Sequence, residues 1–333
     1  MHHTIKGHTM KTTLIAAIIA IITIISIIFY PFKGEDRVIR IGLIPWPGYD
    51  FLHLANDKGF FEEEGIKVEI IEQASTVNQF VALQNNQISI ASITLNELID
   101  NNLHWKKPIT GVLILDYSFG GDVILGQKEI KTMADLRGKK IALEDSHLAK
   151  YILHRALEKH DMTIKDVKIV INGLETGIKS MQNHTVDALI SFPPYTTELK
   201  RSLEVNNLFD STEIPKEIID TLAVTHELLN NHPDIIKKII RGWEKALNYS
   251  KENPKEAYAI MAKHEAMTIE EFESALSVMH IPNMKEQREI FKSKQLEHTI
   301  DLILSIMLSE DSKNKAPLAK SFMNGDILLS MDE

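Results

Sequence analysis

The chain contains no cysteine. That absence removes disulfides, thiolate metal sites, cysteine nucleophiles and a lipid-modified cysteine anchor. It does not fix the compartment, because many secreted proteins also lack cysteine. An excess of positive charge is missing too. The formal net charge is -9 and the pI about 5.9, which excludes wholesale nucleic-acid binding. No nucleophile–base pair and no metal-ligand spacing stands out. The 14 histidines are scattered, and 2-HHTIKGH-8 lies outside the region that reads as folded. Long apolar runs are scarce, with one exception at 14-LIAAIIAIITIISIIFY-30.

What is present is ordinary for a folded protein: 333 residues, 44% hydrophobic and 25% charged, enough for two domains or one large one. The exceptional run carries Lys6 and Lys11 before it and Lys33, Glu35, Asp36 and Arg37 after it. A basic stretch ahead of an apolar one reads as an export signal. Its length is at the lower limit for a membrane span. No small-x-small cleavage site follows, which favours an uncleaved anchor over a cleaved signal. The charge placement sets the N-terminus inside and the rest outside the cytoplasm.

Beyond residue 37 the chain repeats itself with an offset near one hundred residues. The first copy reads strand 38-VIRIGLI-44, helix 51-FLHLANDKGFF-61, strand 66-IKVEIIE-72, helix 76-TVNQFVALQNNQ-87 and strand 88-ISIAS-92. The second reads strand 139-KKIALE-144, helix 146-SHLAKYILHRALEKH-160, strand 166-DVKIVIN-172, helix 175-ETGIKSMQNH-184 and strand 186-VDALISF-192. Alternating strands and helices imply parallel sheets with right-handed crossovers. Two such units make two α/β lobes. Two extended segments, 109-ITGVLILDYSFGGDVILGQ-127 and 219-IDTLAVTHELL-229, are placed to cross between them as a hinge. From His232 onward the pattern is helical, with Pro233 and Pro254 at first-turn positions and Thr268 with Glu271 as a capping box.

This order of motifs resembles the solute-binding proteins of ABC importers, in the nitrate, sulfonate, taurine and thiamine-precursor branch. The resemblance rests on 39-IRIGLIPWPGYD-50 with 54-LANDKGFFEEEGIKVEI-70, then 80-FVALQNNQISIAS-92, 115-LDYSFGGDVIL-125, 136-LRGKKIAL-143 and 228-LLNNHPDIIKKIIRGWEKAL-247. Each is weak alone; in this order they cover nearly everything after Arg37. The resemblance implies a two-lobe α/β periplasmic-binding fold of type II, with a helical C-terminal region on lobe 1. It implies residues 1–35 as signal or anchor, 36–118 as the first part of lobe 1, 119–222 as lobe 2 and 223–333 as the rest of lobe 1. It also implies a monomer without catalysis or cofactor, outside the cytoplasm, delivering a small molecule to an ABC permease and ATPase.

In open α/β sheets, ligands sit beyond the carboxyl ends of the strands. Those positions carry Trp46, Tyr49, Thr76, Thr94, Asn96, Ser118, Asp122, Glu144, Ser146 and Tyr195 as candidate ligand contacts. Pro45 and Pro47 stiffen the turn that presents Trp46 and Tyr49, so little conformational freedom is lost on binding. The wider set of strand-end residues adds Asp145, Glu175, Tyr117 and Phe119 but no Arg or Lys. Carboxylates and aromatics suit an amine-bearing or pyrimidine-like ligand better than nitrate or a sulfonate. Two other functions compete. One is a membrane-tethered sensor that presents its liganded form to a receptor. The other is a cytoplasmic pyrimidine-synthase-like enzyme, against which the export-like start and the lack of cysteine both count.

Overall fold

The computed structural model describes residues 38–308 and 321–331. The apolar run at 14–30 therefore lies outside the described residues. Among those residues no helix is long and apolar enough to cross a membrane.

The described chain is a two-sheet α/β structure. The first sheet holds β1 (Val38–Leu43), β2 (Lys67–Glu72), β3 (Ile90–Thr94), β4 (Ile109–Ser118), β10 (Ile219–Thr225) and β11 (Met279–His280), in the order β11-β4-β10-β3-β1-β2. The second holds β5 (Val123–Gln127), β6 (Lys140–Leu143), β7 (Lys168–Ile171), β8 (Ala188–Ser191) and β9 (Val205–Asp210), in the order β7-β6-β8-β5-β9. Each sheet has a parallel core, β2-β1-β3 in one and β7-β6-β8 in the other. The sheets are nonetheless mixed. β10 runs antiparallel to β3 and β4, and β5 antiparallel to β8 and β9. The repeat predicts the parallel cores. The antiparallel strands arise where the chain passes from one sheet to the other.

Those crossings differ from the expected hinge segments. The stretch 109–127 is two strands, β4 in the first sheet and β5 in the second, joined at Phe119–Asp122. The stretch 219–225 belongs wholly to the first sheet, so the return crossing lies earlier, between Asp210 and Ile219. The two crossings are laced together. Ser118 Oγ and Ser211 Oγ lie 2.8 Å apart, the Gly120 N–H donates to Ser211 Oγ, and the Ser211 N–H donates to the Asp122 carbonyl. Gly120 has φ +105°, a conformation only glycine adopts without strain, so the crossing turns sharply there.

The helices follow the repeat. In the first unit they are α1 (Asp50–Asp57), the short α2 (Phe60–Glu63), α3 (Thr76–Gln84) and α4 (Leu95–His104). In the second they are α5 (His147–Lys159), α6 (Leu174–Gln182) and α7 (Tyr195–Ser202). After β10 come α8 (His226–Asn231), α9 (Pro233–Glu252), α10 (Pro254–His264), α11 (Ile269–Leu276), α12 (Met284–Lys292), α13 (Gln295–Met307) and α14 (Asp326–Leu329). Pro233 and Pro254 open α9 and α10, where a missing N–H costs nothing. Thr268 and Glu271 form the capping box that starts α11. α9 buries Ile236, Ile239, Ile240 and Trp243 against the core of the first sheet, with Phe51, Leu54 and Phe61. A second apolar cluster spans both units, joining Leu98 of α4, Ile152 of α5 and Ile300 of α13. The C-terminal helices thus pack on lobe 1, as expected, and α13 also reaches α5 in lobe 2.

Candidate functional site

β1 ends at Leu43, and the next three residues leave the sheet toward the space between the lobes. Trp46 is extended, with φ -170° and ψ 119°, and Pro47–Tyr49 make one tight turn. Four contacts fix this turn. The Tyr49 N–H donates to the Trp46 carbonyl at 2.9 Å. The Trp46 N–H donates to Glu265 Oε1 at 2.8 Å, and its indole Nε1–H to Asp116 Oδ2 at 2.9 Å. The Tyr49 hydroxyl donates to Asp220 Oδ1. The Trp46 ring meets Phe192 of the second lobe edge-on at 5.9 Å, and Phe192 meets Tyr195 at 5.7 Å. Both rings of the turn are buried, so it forms a wall of the interlobe space and does not project freely into it.

The turn admits no larger residue at its tightest point. A Cβ on Gly48 would lie 2.1 Å from Asp116 Oδ2 and 2.8 Å from Trp46 Nε1. Gly48→Ala is therefore expected to break the Trp46–Asp116 bond and to destabilise the protein by roughly 1–3 kcal/mol, the usual cost of overpacking. Urea unfolding followed by tryptophan fluorescence measures this. An unchanged midpoint would show that the turn yields.

A cavity of about 30 Å³ lies behind this wall, lined by Ile44, Pro45, Trp46, Tyr49, Thr76, Thr94, Glu97, Asp122, Glu144, Leu148, Phe192 and Asp220. It is continuous in its lining, through Thr76, Glu97 and Glu144, with an open groove of about 480 Å³ between the lobes. Six of the ten candidate residues line the small cavity: Trp46, Tyr49, Thr76, Thr94, Asp122 and Glu144. Ser146 lines the groove, where its hydroxyl also caps α5 by accepting from the Ala149 N–H at 3.1 Å. Tyr195 lies one ring further out, in a separate surface pocket with His264 and Glu265. Asn96 and Ser118 do not line it. Asn96 is fully buried in the first turn of α4. Ser118 turns its hydroxyl to Ser211 at the lobe crossing. Of the wider strand-end set, Phe119, Asp145 and Glu175 are exposed.

Three polar residues at the site escape a strand-end reading. Glu97 sits in the first turn of α4, where Thr94 Oγ1 accepts its N–H. Its carboxylate accepts the Leu148 N–H of the second lobe at 2.9 Å, so it ties the lobes together. Asp220 and Asp116 face each other across β10 and β4, and Asp220 also pairs with Thr94 of β3. The available signal was a lone acid in an apolar strand, in 115-LDYS-118 and 219-IDTL-222.

Four acidic side chains thus line one small cavity, with Asp116 directly behind. No Lys, Arg or His is among the described residues of its wall. Burial penalises their charge. It raises Asp122 to about 7, with the Asp220 and Glu144 carboxyls adding to the shift and a Ser118 hydrogen bond opposing it. It raises Asp116 to about 7 against the Trp46 hydrogen bond, and Glu97 to about 7 against the Leu148 N–H. Asp220 is raised by burial and by Asp116, and Tyr49 by burial and by Asp220. Burial also raises Glu144. Burial thus favours the protonated carboxyls, and an incoming cation would favour the ionised ones.

Further contacts between the lobes flank the cavity. His147 Nε2 lies 2.9 Å from Asp100 Oδ1, which also holds His104 Nδ1 at 2.6 Å. The Asp100 hydrogen bond raises His147 against its burial. On another face, Arg201 Nε of α7 donates to Glu271 Oε1 of α11 at 2.8 Å.

Two sheets joined by paired crossings around a polar interlobe cavity define the periplasmic-binding-protein fold. The chain belongs to the NMT1/THI5-like family, whose profile matches residues 46–257. A Brucella abortus protein named only as a binding protein is 23% identical over 69% of this chain and 72% of its own. A Bacillus subtilis protein named for binding aliphatic sulfonates is 24% identical over 66% of this chain and 68% of its own. Among solved structures, a zinc-bound ligand-binding component of an ABC-type import system from Staphylococcus aureus superposes with a TM-score of 0.73. It is 13% identical, over 89% of this chain and 99% of its own. The periplasmic aliphatic sulphonate binding protein of Escherichia coli superposes with a TM-score of 0.68 at 18% identity, over 85% and 98%.

Proposed function

We propose that this chain is the extracytoplasmic solute-binding component of an ABC import system, and that its ligand is a small organic cation. The observation that carries the ligand assignment is the cavity wall, with Glu97, Asp122, Glu144 and Asp220 around Trp46, Tyr49 and Phe192 and, among the described residues, no basic side chain. An ammonium or protonated ring nitrogen placed there gains charge-assisted hydrogen bonds and the faces of aromatic rings. The cavity of about 30 Å³ takes the charged head alone, and the groove of about 480 Å³ takes the rest of the molecule. Family membership and the named relatives support the import role, and the basic and apolar N-terminal sequence supports export. A sulfonate fits less well. The helix starts at Thr76, Leu95 and His147 offer N–H groups, but an anion would face four carboxyls.

The role of the six cavity-lining candidates as ligand contacts rests on this reading. A thermal-shift screen of amines, pyrimidines, alkanesulfonates and nitrate against the purified chain tests it. Binding to the native form alone stabilises by RT ln(1 + [L]/Kd), about 2.7 kcal/mol at a hundredfold excess over Kd. For a chain of this size that raises the melting temperature by roughly 5 °C or more. Stabilisation by sulfonates or nitrate with amines and pyrimidines inert would overturn the cation assignment.

A further inference from the structure

A second constellation lies on the other side of the Trp46 turn. α1 places Asp50 and His53 on one face, three residues apart. The end of β2 adds Glu72, and the end of α10 adds His264, followed by Glu265. One ligand atom each from His53, Glu72 and His264 lies within 4.8 Å of the others. All five residues line a cavity of about 20 Å³, room for a single water-sized species. The sequence gives no hint of this, because the two histidines are two hundred residues apart and show no metal-ligand spacing.

The chemistry of the donors is that of a divalent transition-metal site. Two imidazoles and a carboxylate are a common zinc set. The His53 and His264 rings stack with centroids 3.9 Å apart. Asp57 Oδ2 lies 2.9 Å from His264 Nε2. A hydrogen bond there orients the ring and leaves Nδ1 with the lone pair, the role of an outer carboxylate at metal-bound histidine. The second, independent observation is the acid pair. Asp50 is 2% exposed, and its Oδ2 and Glu265 Oε2 are buried with no N–H or O–H donor. Both carboxyls line the same cavity as the three donors.

We propose that His53, Glu72 and His264 bind one divalent transition-metal ion of the zinc class, with the Asp50–Glu265 pair beside it placed to offer a further oxygen ligand. Bonds of about 2.1 Å in a tetrahedron set donors about 3.4 Å apart. His53 Nε2 and Glu72 Oε1 already lie 3.8 Å apart, and Glu72 is exposed enough to swing inward. Because Glu265 also holds the Trp46 N–H, an ion here ties α1, β2 and α10 to the turn that walls the interlobe cavity. The proposal does not depend on which molecule that cavity takes.

The test uses the full chain with His2, His3 and His8 replaced by alanine, so that no zinc on that histidine-rich stretch enters the count. After treatment with chelator, Zn²⁺ is titrated by calorimetry, and bound metal is counted by elemental analysis after desalting. One zinc per chain is expected, with His53→Gln and His264→Asn each weakening it about a hundredfold or more. His104→Gln, in the separate Asp100–His104–His147 cluster, is expected to leave it unchanged. Melting curves in chelator check that the variants fold. If His53→Gln does not, the more exposed His264→Asn decides. No stoichiometric zinc, or zinc binding that survives both substitutions, overturns the proposal.

Discussion

Lowering the pH from 8 to 5.5 is expected to weaken binding of an organic amine by about thirtyfold for each proton it displaces. The sign follows from the cavity wall. Burial raises Asp122, Glu97 and Asp116 to about 7 in the ligand-free protein and raises Asp220 too. Glu144 and Tyr49 face the same space, both raised, and contribute no positive charge. An alkyl amine stays protonated throughout this range, so its own charge does not change. It binds the ionised carboxyls and must expel their protons, which becomes harder as the pH falls below about 7. Calorimetry in buffers of different ionisation heat counts those protons directly. Affinity independent of pH, or proton uptake on binding, would show that the wall carboxyls do not meet the ligand's charge.

The same groups set an opposite trend for the ligand-free protein. A buried carboxyl with a raised pKa holds its proton in the folded state, where the unfolded chain has lost it. Between about pH 4 and pH 7 the native state therefore binds more protons, and stability falls as the pH rises. With an amine as ligand, the pH range of tightest binding is therefore the range of lower ligand-free stability. This arrangement is common at sites that concentrate like charges before a ligand arrives.

The first half of this site is legible in the sequence and the second half is not, for a topological reason. Trp46, Thr76, Thr94 and Glu144 follow parallel strands, and a parallel strand delivers its carboxyl end to the cleft. Pro45, Pro47 and Gly48 mark the turn, and a repeat of strand and helix patterns reveals two sheets. β10 is antiparallel, so its amino end meets the cleft beside the carboxyl end of β3. Asp220 opposite Thr94 is the result. Only the pairing partner of 219–225 shows this, and hydrophobic periodicity does not carry pairing. Glu97 escapes for a different reason. Its position three residues after Thr94 suits a capping role, but its side chain reaches the Leu148 N–H in the other lobe. Ser118 and Asn96 are strand-end residues whose side chains are taken up by the lobe crossing and by burial. A position list identifies the rim of the cleft, and the packing of a second element decides which side chains are left facing it.

Asp122→Asn separates the two trends in one molecule. Asp122 is buried, its N–H donates to Ser118 Oγ, and its carboxyl is held near about 7 by burial and by its acidic neighbours. At pH 8 the ligand-free native protein bears this carboxylate at a cost, and an amide of the same shape removes the charge. The variant is expected to be more stable than the parent at pH 8, by roughly 1–3 kcal/mol. Below about pH 4, where the carboxyl is protonated in the native and the unfolded state alike, the two should be nearly equal. Binding of an amine should move the other way, weaker by roughly 1.5–3 kcal/mol, or about ten- to 150-fold, because a hydrogen bond to a charged group is lost. Urea unfolding at the two pH values and calorimetry with the same amine give all four numbers. A variant that loses stability at pH 8 would mean that Asp122 is ionised and favourably paired in the ligand-free protein. A variant that gains stability yet binds the amine unchanged would mean that the ligand's charge sits against Glu97, Glu144 or Asp220, and the same substitution at each of those would then locate it.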